Sequence, residues 1–149
     1  MRYTKKTFSF PDIHGISQEQ LSVHVGLYEG YVTHASQIMD SLQELSSLQD
    51  PGHAYLRAEL RRRFSFEFNG MRLHEYYFEQ LQGGPKALSP DSACARAIKE
   101  KYGERTLEDH VREVATSRGV GWVLVYHDPR GGTLHTTYVS DHDLGVCAG

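Results

Sequence analysis

Two stretches of apolar residues recurring at intervals of three and four fill the N-terminal half of the chain, and they leave few folds open to it. In the first, Leu21, Val25, Tyr28, Val32, Ala35, Met39 and Leu42 mark one helical face. Ser17 precedes that face with Gln20 three residues on, a pairing in which side chains satisfy the first free N–H groups of a helix. This predicts a helix over about 17–48. The segment QDPGH at 49–53 breaks it. In the second stretch, Leu56, Leu60, Phe64, Met71, His74, Phe78 and Leu81 continue the period until Gly83-Gly84-Pro85 stops it. Asn69-Gly70, inside this stretch, predicts a kink or a local bulge. Two long helices joined by so short a link are expected to pack antiparallel, as a hairpin.

Beyond Pro85 the elements shorten. LSPDSACARAIKEKYG predicts a third helix, with Ser89 as its cap, Pro90 in its first turn and Gly103 as its stop. TLEDHVREVATSRG predicts a fourth, capped by Thr106 and stopped at Gly119. The period then changes to that of strands. GWVLVYHD is β-branched and aromatic, TLHTTYVS alternates, and DPRGG between them suits a hairpin loop. Residues 1–16, with Pro11 and Gly15, read as irregular. The expected class is therefore α+β: an N-terminal helical hairpin domain over 1–86 and a C-terminal α/β domain over 87–149 that carries an antiparallel β-hairpin.

Composition narrows the function classes. A chain of 149 residues suits one domain or two small lobes. Its formal net charge of −3 gives no broad basic footprint, so nucleic acid is not an expected partner. No apolar run is long enough for a secretory signal or a spanning helix, so no membrane is expected either. Cys94 and Cys147 fit no CxxC spacing and read as free thiols in a reducing compartment, which suggests the cytoplasm. Nine histidines and nine tyrosines are an excess that points weakly toward a metal or proton-handling site.

His24 and His74 give that hint a place. Each lies on the apolar face of one long helix, and in an antiparallel hairpin the two can face each other. Two imidazoles at one depth in an apolar core pack poorly but make good ligands for Fe, Mn or Zn. Tyr28 and Tyr31 follow His24, and Tyr77 and Phe78 follow His74, so aromatic rings surround the pair. A core histidine with a satisfied hydrogen bond remains the alternative for His24. Two histidines alone do not complete a metal site.

Four segments in order resemble the iron/manganese superoxide dismutase family. They are HVGLYEGYV at 24–32, FNGMRLHEYYFEQL at 68–81, AIKEKYG at 97–103 and GVGW at 119–122. The resemblance implies a helical hairpin followed by an α/β lobe with a three-stranded sheet. It implies one Fe or Mn ion per subunit, superoxide as substrate, and a homodimer or homotetramer. Carried over residue by residue, His24 and His74 match two metal ligands, and Tyr31 matches the tyrosine that flanks the substrate channel. His142, in VSDHD, falls where the family has a Gln or His that hydrogen-bonds solvent on the metal; a solvated loop histidine is the other reading. Tyr28, Tyr77, Phe78 and Trp122 fall around the ligands. Tyr28 departs from a histidine common at its position, and Phe78 from a tryptophan. Arg61, Arg62, Arg63 and Arg72 are candidates to steer an anion, or simply a solvated charged face.

The family's remaining Asp and His ligands belong to an Asp-x-Trp-Glu-His stretch, and no such stretch occurs in this sequence. Asp141, His142 and Asp143 are the nearest substitutes. The expectation is a C-terminally incomplete member, with superoxide dismutase as the function by resemblance. A non-catalytic relative kept as an interaction or structural scaffold is the alternative.

Overall fold

The computed structural model describes residues 2–48, 50–103 and 105–142. They divide into two compact units, one reaching to Pro85 and one beginning at Lys86.

The first unit is a helical hairpin with an N-terminal segment laid along it. Helix α1 spans Gln18–Leu45 and α2 spans Pro51–Leu81. Ser17 and Gln20 make the reciprocal capping box expected from their spacing: the Ser17 hydroxyl accepts from the Gln20 N–H, and the Gln20 side chain accepts from the Ser17 N–H. Asp50 caps α2 through the Gly52 N–H, with Pro51 in the first turn. The Arg57 guanidinium donates to the Leu45 and Leu48 carbonyls, so the start of α2 satisfies the exposed end of α1. His24 meets Phe78, and Tyr31 meets Phe66, so the helices run antiparallel.

The helix α2 runs unbroken through Asn69-Gly70, where a kink or bulge was expected. Gly70 is there for closeness instead. A Cβ at this position would stand 2.6 Å from Cδ1 of Tyr31 on α1. Leu56, expected on the apolar face, is 45% exposed, because the packed face of α2 begins further along, at Glu67. The core between the helices is Tyr28, Val32, Met71 and Phe78, closed from outside by Tyr3, Phe8 and Phe10. Phe8 stands edge-on to Tyr28 at 5.4 Å and lies 5.0 Å from Phe78, which anchors the N-terminal segment to both helices.

The second unit contains α3 (Ala93–Tyr102), α4 (Leu107–Ala115), β1 (Gly121–Asp128) and β2 (Thr133–Ser140). The cap of α3 is Ser92, not Ser89: the Ser92 hydroxyl accepts from the Ala95 N–H, and the helix starts one turn later than expected. Gly103 ends it at φ 64°. Thr106 and Asp109 form the capping box of α4, whose helix stops at Ala115, short of Gly119, with Thr116 bonded back to Arg112. Strands β1 and β2 pair antiparallel from Gly121 with Ser140 to Asp128 with Thr133. In their loop the Asp128 carboxylate accepts from the Arg130 and Gly131 N–H groups, and Gly132 takes the positive φ of 68° that brings the chain back. Together the two units give the expected α+β class, with four helices ahead of a two-stranded sheet among the described residues.

Candidate metal centre

His24 and His74 meet in the first unit. Their ring centroids are 4.8 Å apart, edge to face at 82°. That spacing is compatible with both rings serving one ion at about 2.0–2.2 Å per nitrogen. His74 is 4% exposed, whereas His24 is half-buried. The His74 Nδ1 lies 2.6 Å from the Gly70 carbonyl oxygen, one turn back in α2. A carbonyl only accepts, so Nδ1 carries the hydrogen and the lone pair of the neutral ring is on Nε2. This is the arrangement in which a backbone carbonyl orients a ligating imidazole. Burial holds the His24 imidazole below its ordinary pKa, which favours the neutral, ligating form.

Aromatic rings enclose the pair. Phe78 is 5.0 Å from His24 and 5.9 Å from His74, Tyr77 is 5.4 Å from His24, and Tyr31 is 5.2 Å from His74. Phe78 is fully buried, so this side of the pair is dry.

Tyr28, one turn beyond His24, has its hydroxyl committed elsewhere. It donates to Glu75 Oε1 at 3.1 Å and accepts from the Lys6 N–H at 2.9 Å. Glu75, beside His74 in sequence, is 2% exposed and is also bound by Arg72 at 2.6 Å and Lys6 Nζ at 3.2 Å. A buried carboxylate needs this many donors. The hydroxyl of Tyr28 thus joins α1, α2 and the N-terminal segment, one turn from His24 and, through Glu75, one residue from His74. Sequence reasoning did not single out Glu75, and it read Gly70 only as a place for a kink or bulge. The Arg72 to Glu75 spacing was a readable ion-pair signal, but nothing local shows that its carboxylate is buried.

Three of the four arginines considered for steering carry counter-charges. Arg62 pairs with Glu59 at 3.0 Å, and Arg72 with Glu75. Arg63 pairs with the buried Glu67 at 2.8 Å and lies over the Phe66 ring.

His142 and Trp122 belong to the second unit, where the Trp122 indole N–H donates to His142 Nδ1 at 3.0 Å. His142 is 7% exposed, so it is not the solvated loop histidine that an acidic turn suggested. Asp141 takes a positive φ of 50° in the same turn. Asp143 lies outside the described residues, as does Cys147; Cys94 is an exposed free thiol. Among the described residues no group of three His, Cys, Asp or Glu side chains comes together. By donor type the pair fits a first-row transition metal, as two of its ligands.

Three curated relatives are iron superoxide dismutases. The one from Sulfolobus acidocaldarius is 30% identical over 140 residues, which cover 89% of this chain and 65% of the relative. The one from Saccharolobus solfataricus is 28% identical over 85% of this chain and 62% of its own. The one from Cupriavidus metallidurans is 33% identical over 139 residues, covering 91% of this chain and 68% of the relative. The chain belongs to the iron/manganese superoxide dismutase family. No protein-family model matches the sequence. The chain spans 65% and 62% of the length of the two archaeal superoxide dismutases. Among the described residues no helix is long and apolar enough to cross a membrane.

Proposed function

We propose that His24 and His74 are two ligands of a mononuclear iron centre and that the reaction served is the dismutation of superoxide to oxygen and hydrogen peroxide. The observation that supports this most is the edge-to-face imidazole pair at 4.8 Å, with His74 oriented by a backbone carbonyl. The kinship with iron superoxide dismutases supports the reaction. Bound iron supplies a one-electron redox couple at the pair. Manganese would serve the same chemistry and is the second metal to test.

The chain's own residues have definable tasks in this reading. His24 and His74 bind. Phe78 and Tyr77 exclude water beside His24, and Tyr31 borders His74. Tyr28 donates its proton to Glu75, so its work is to hold α1 against α2 rather than to deliver a proton. The role of His142 in hydrogen-bonding solvent on the metal rests on the family resemblance. With Nδ1 accepting from Trp122, the proton of its neutral ring is on Nε2.

A non-catalytic scaffold is the second reading, and the absence of a third donor beside the pair among the described residues favours it. The two are separated by measuring bound iron and superoxide consumption for the chain and for His24→Ala and His74→Ala. The proposed function requires bound iron to fall in both variants, with any superoxide consumption falling in step. Iron content indifferent to both substitutions supports the scaffold.

A further inference from the structure

We propose that Gly70 is a positioning residue of the His24–His74 centre, acting on two neighbours at once. Its carbonyl fixes the His74 tautomer, and its lack of a side chain seats the Tyr31 ring against α2, beside His74. This inference rests on the metal-centre reading above.

Two independent observations meet at this position. His74 Nδ1 is 2.6 Å from the Gly70 oxygen. A Cβ on Gly70 would stand 2.6 Å from Cδ1, 2.8 Å from Cε1 and 2.8 Å from Cγ of Tyr31, so it would meet the ring itself and not a flexible end. The Tyr31 ring lies 5.2 Å from the His74 ring at 32°. Gly70 is buried between buried Asn69 and Met71, so the backbone has no solvent side toward which to yield. Glycine is a poor residue for a helix interior, and α2 is unbroken here, so helix formation does not account for it. A methyl group at Gly70 leaves the carbonyl in place. It should therefore displace Tyr31 from His74 without changing the His74 tautomer, a separation that a general packing role would not produce.

The test uses the metal-free 149-residue chain, isotope-labelled, and its Gly70→Ala variant. In the unsubstituted chain, proton NMR should show cross-relaxation between the Tyr31 and His74 rings, and nitrogen shifts should report the Nδ1–H tautomer of His74. In Gly70→Ala the Tyr31–His74 cross-peaks should be lost while the tautomer and the His24–His74 cross-peaks persist. Should Gly70→Ala fold poorly, the Tyr31→Ala background decides. Gly70→Ala should lower the melting temperature by on the order of 5 °C with Tyr31 present and leave it nearly unchanged with Tyr31 removed. Unaltered Tyr31–His74 cross-peaks in Gly70→Ala, an Nε2–H tautomer in the unsubstituted chain, or equal melting shifts in both backgrounds would each overturn the proposal. Titration with Co(II) separates this from the metal-centre reading. A chain with no visible Co(II) absorption would sink that reading and the functional meaning of Gly70 with it, even with the NMR results intact. A Co(II) spectrum altered in Gly70→Ala supports both, and an identical spectrum counts against the positioning role.

Discussion

A single hydroxyl decides how the first unit closes. Tyr28 is fully buried, and its oxygen serves both Glu75 and the Lys6 N–H. Tyr28→Phe keeps the ring but takes one donor from Glu75 Oε1 and the acceptor from the Lys6 N–H, so it should cost about 1–3 kcal/mol, read as a lower urea midpoint with an unchanged slope. His24 adds a pH dependence of known sign. Burial lowers its pKa below the ordinary value of 6.5, so the unfolded state binds more protons as the solution is acidified. The stability of the metal-free chain should be fullest above that ordinary value and should decline as pH falls through it. In His24→Leu this part of the decline should vanish, which denaturant melts on either side of about pH 6.5 would read. An equally steep decline in the variant would assign the effect to other groups.

Among elements, the helix ends carry readable signals and testable energies. Thr106 both accepts from the Asp109 N–H and donates to its carboxylate. Thr106→Ala should destabilise α4 by about 1 kcal/mol, visible as a lower melting temperature. The Thr106 hydroxyl and N–H hold the Asp109 carboxyl below its ordinary 3.8. That contribution is present above 3.8 and is lost as pH falls through the folded value, so the difference between Thr106→Ala and the parent should shrink in acid. Between elements, Phe78 joins α2 to the N-terminal segment and to His24. Phe78→Ala should cost roughly 3–5 kcal/mol, since it leaves a cavity where two helices and a loop meet.

At the scale of the molecule the governing quantity is ligand count. On the proposed reading, two neutral imidazoles would give an iron ion no offset to its charge, and the described residues add no third donor beside them. The 149-residue chain should therefore lose iron readily to a chelator and show little superoxide dismutase activity. Adding a segment that carries Asp-x-Trp-Glu-His should raise metal retention and turnover together. Metal analysis after dialysis, paired with a superoxide assay, checks both. Stoichiometric iron and substantial turnover in the chain alone would show that ligands come from elsewhere, with Asp141, His142 and Asp143 the first to substitute.

The elements of this fold were legible from local rules. Capping boxes at Ser17 and Thr106, the breaker at 49–53 and the loop after Asp128 are short-range chemistry, complete within a few residues. The helical period likewise placed His24 and His74 on inward faces, because a face is a property of one helix. Where α3 begins was less legible, since Ser89 and Ser92 offer the same hydroxyl and only one of them meets a free N–H. Beyond the helical hairpin and the facing histidines, what the sequence left open was the set of close contacts that need two elements at once. Gly70 read as a weak point in a helix until the Tyr31 ring lay against it. Glu75 went unnoticed in the sequence, and its burial came only with Tyr28, Lys6 and Arg72 converging on it. His142 was open between a site residue and a solvated loop histidine, and its burial came only with the Trp122 indole bonded to it. Helix period, caps and turns follow from neighbours along the chain. Burial and close approach depend on partners far apart in sequence, so the tertiary structure alone decided them.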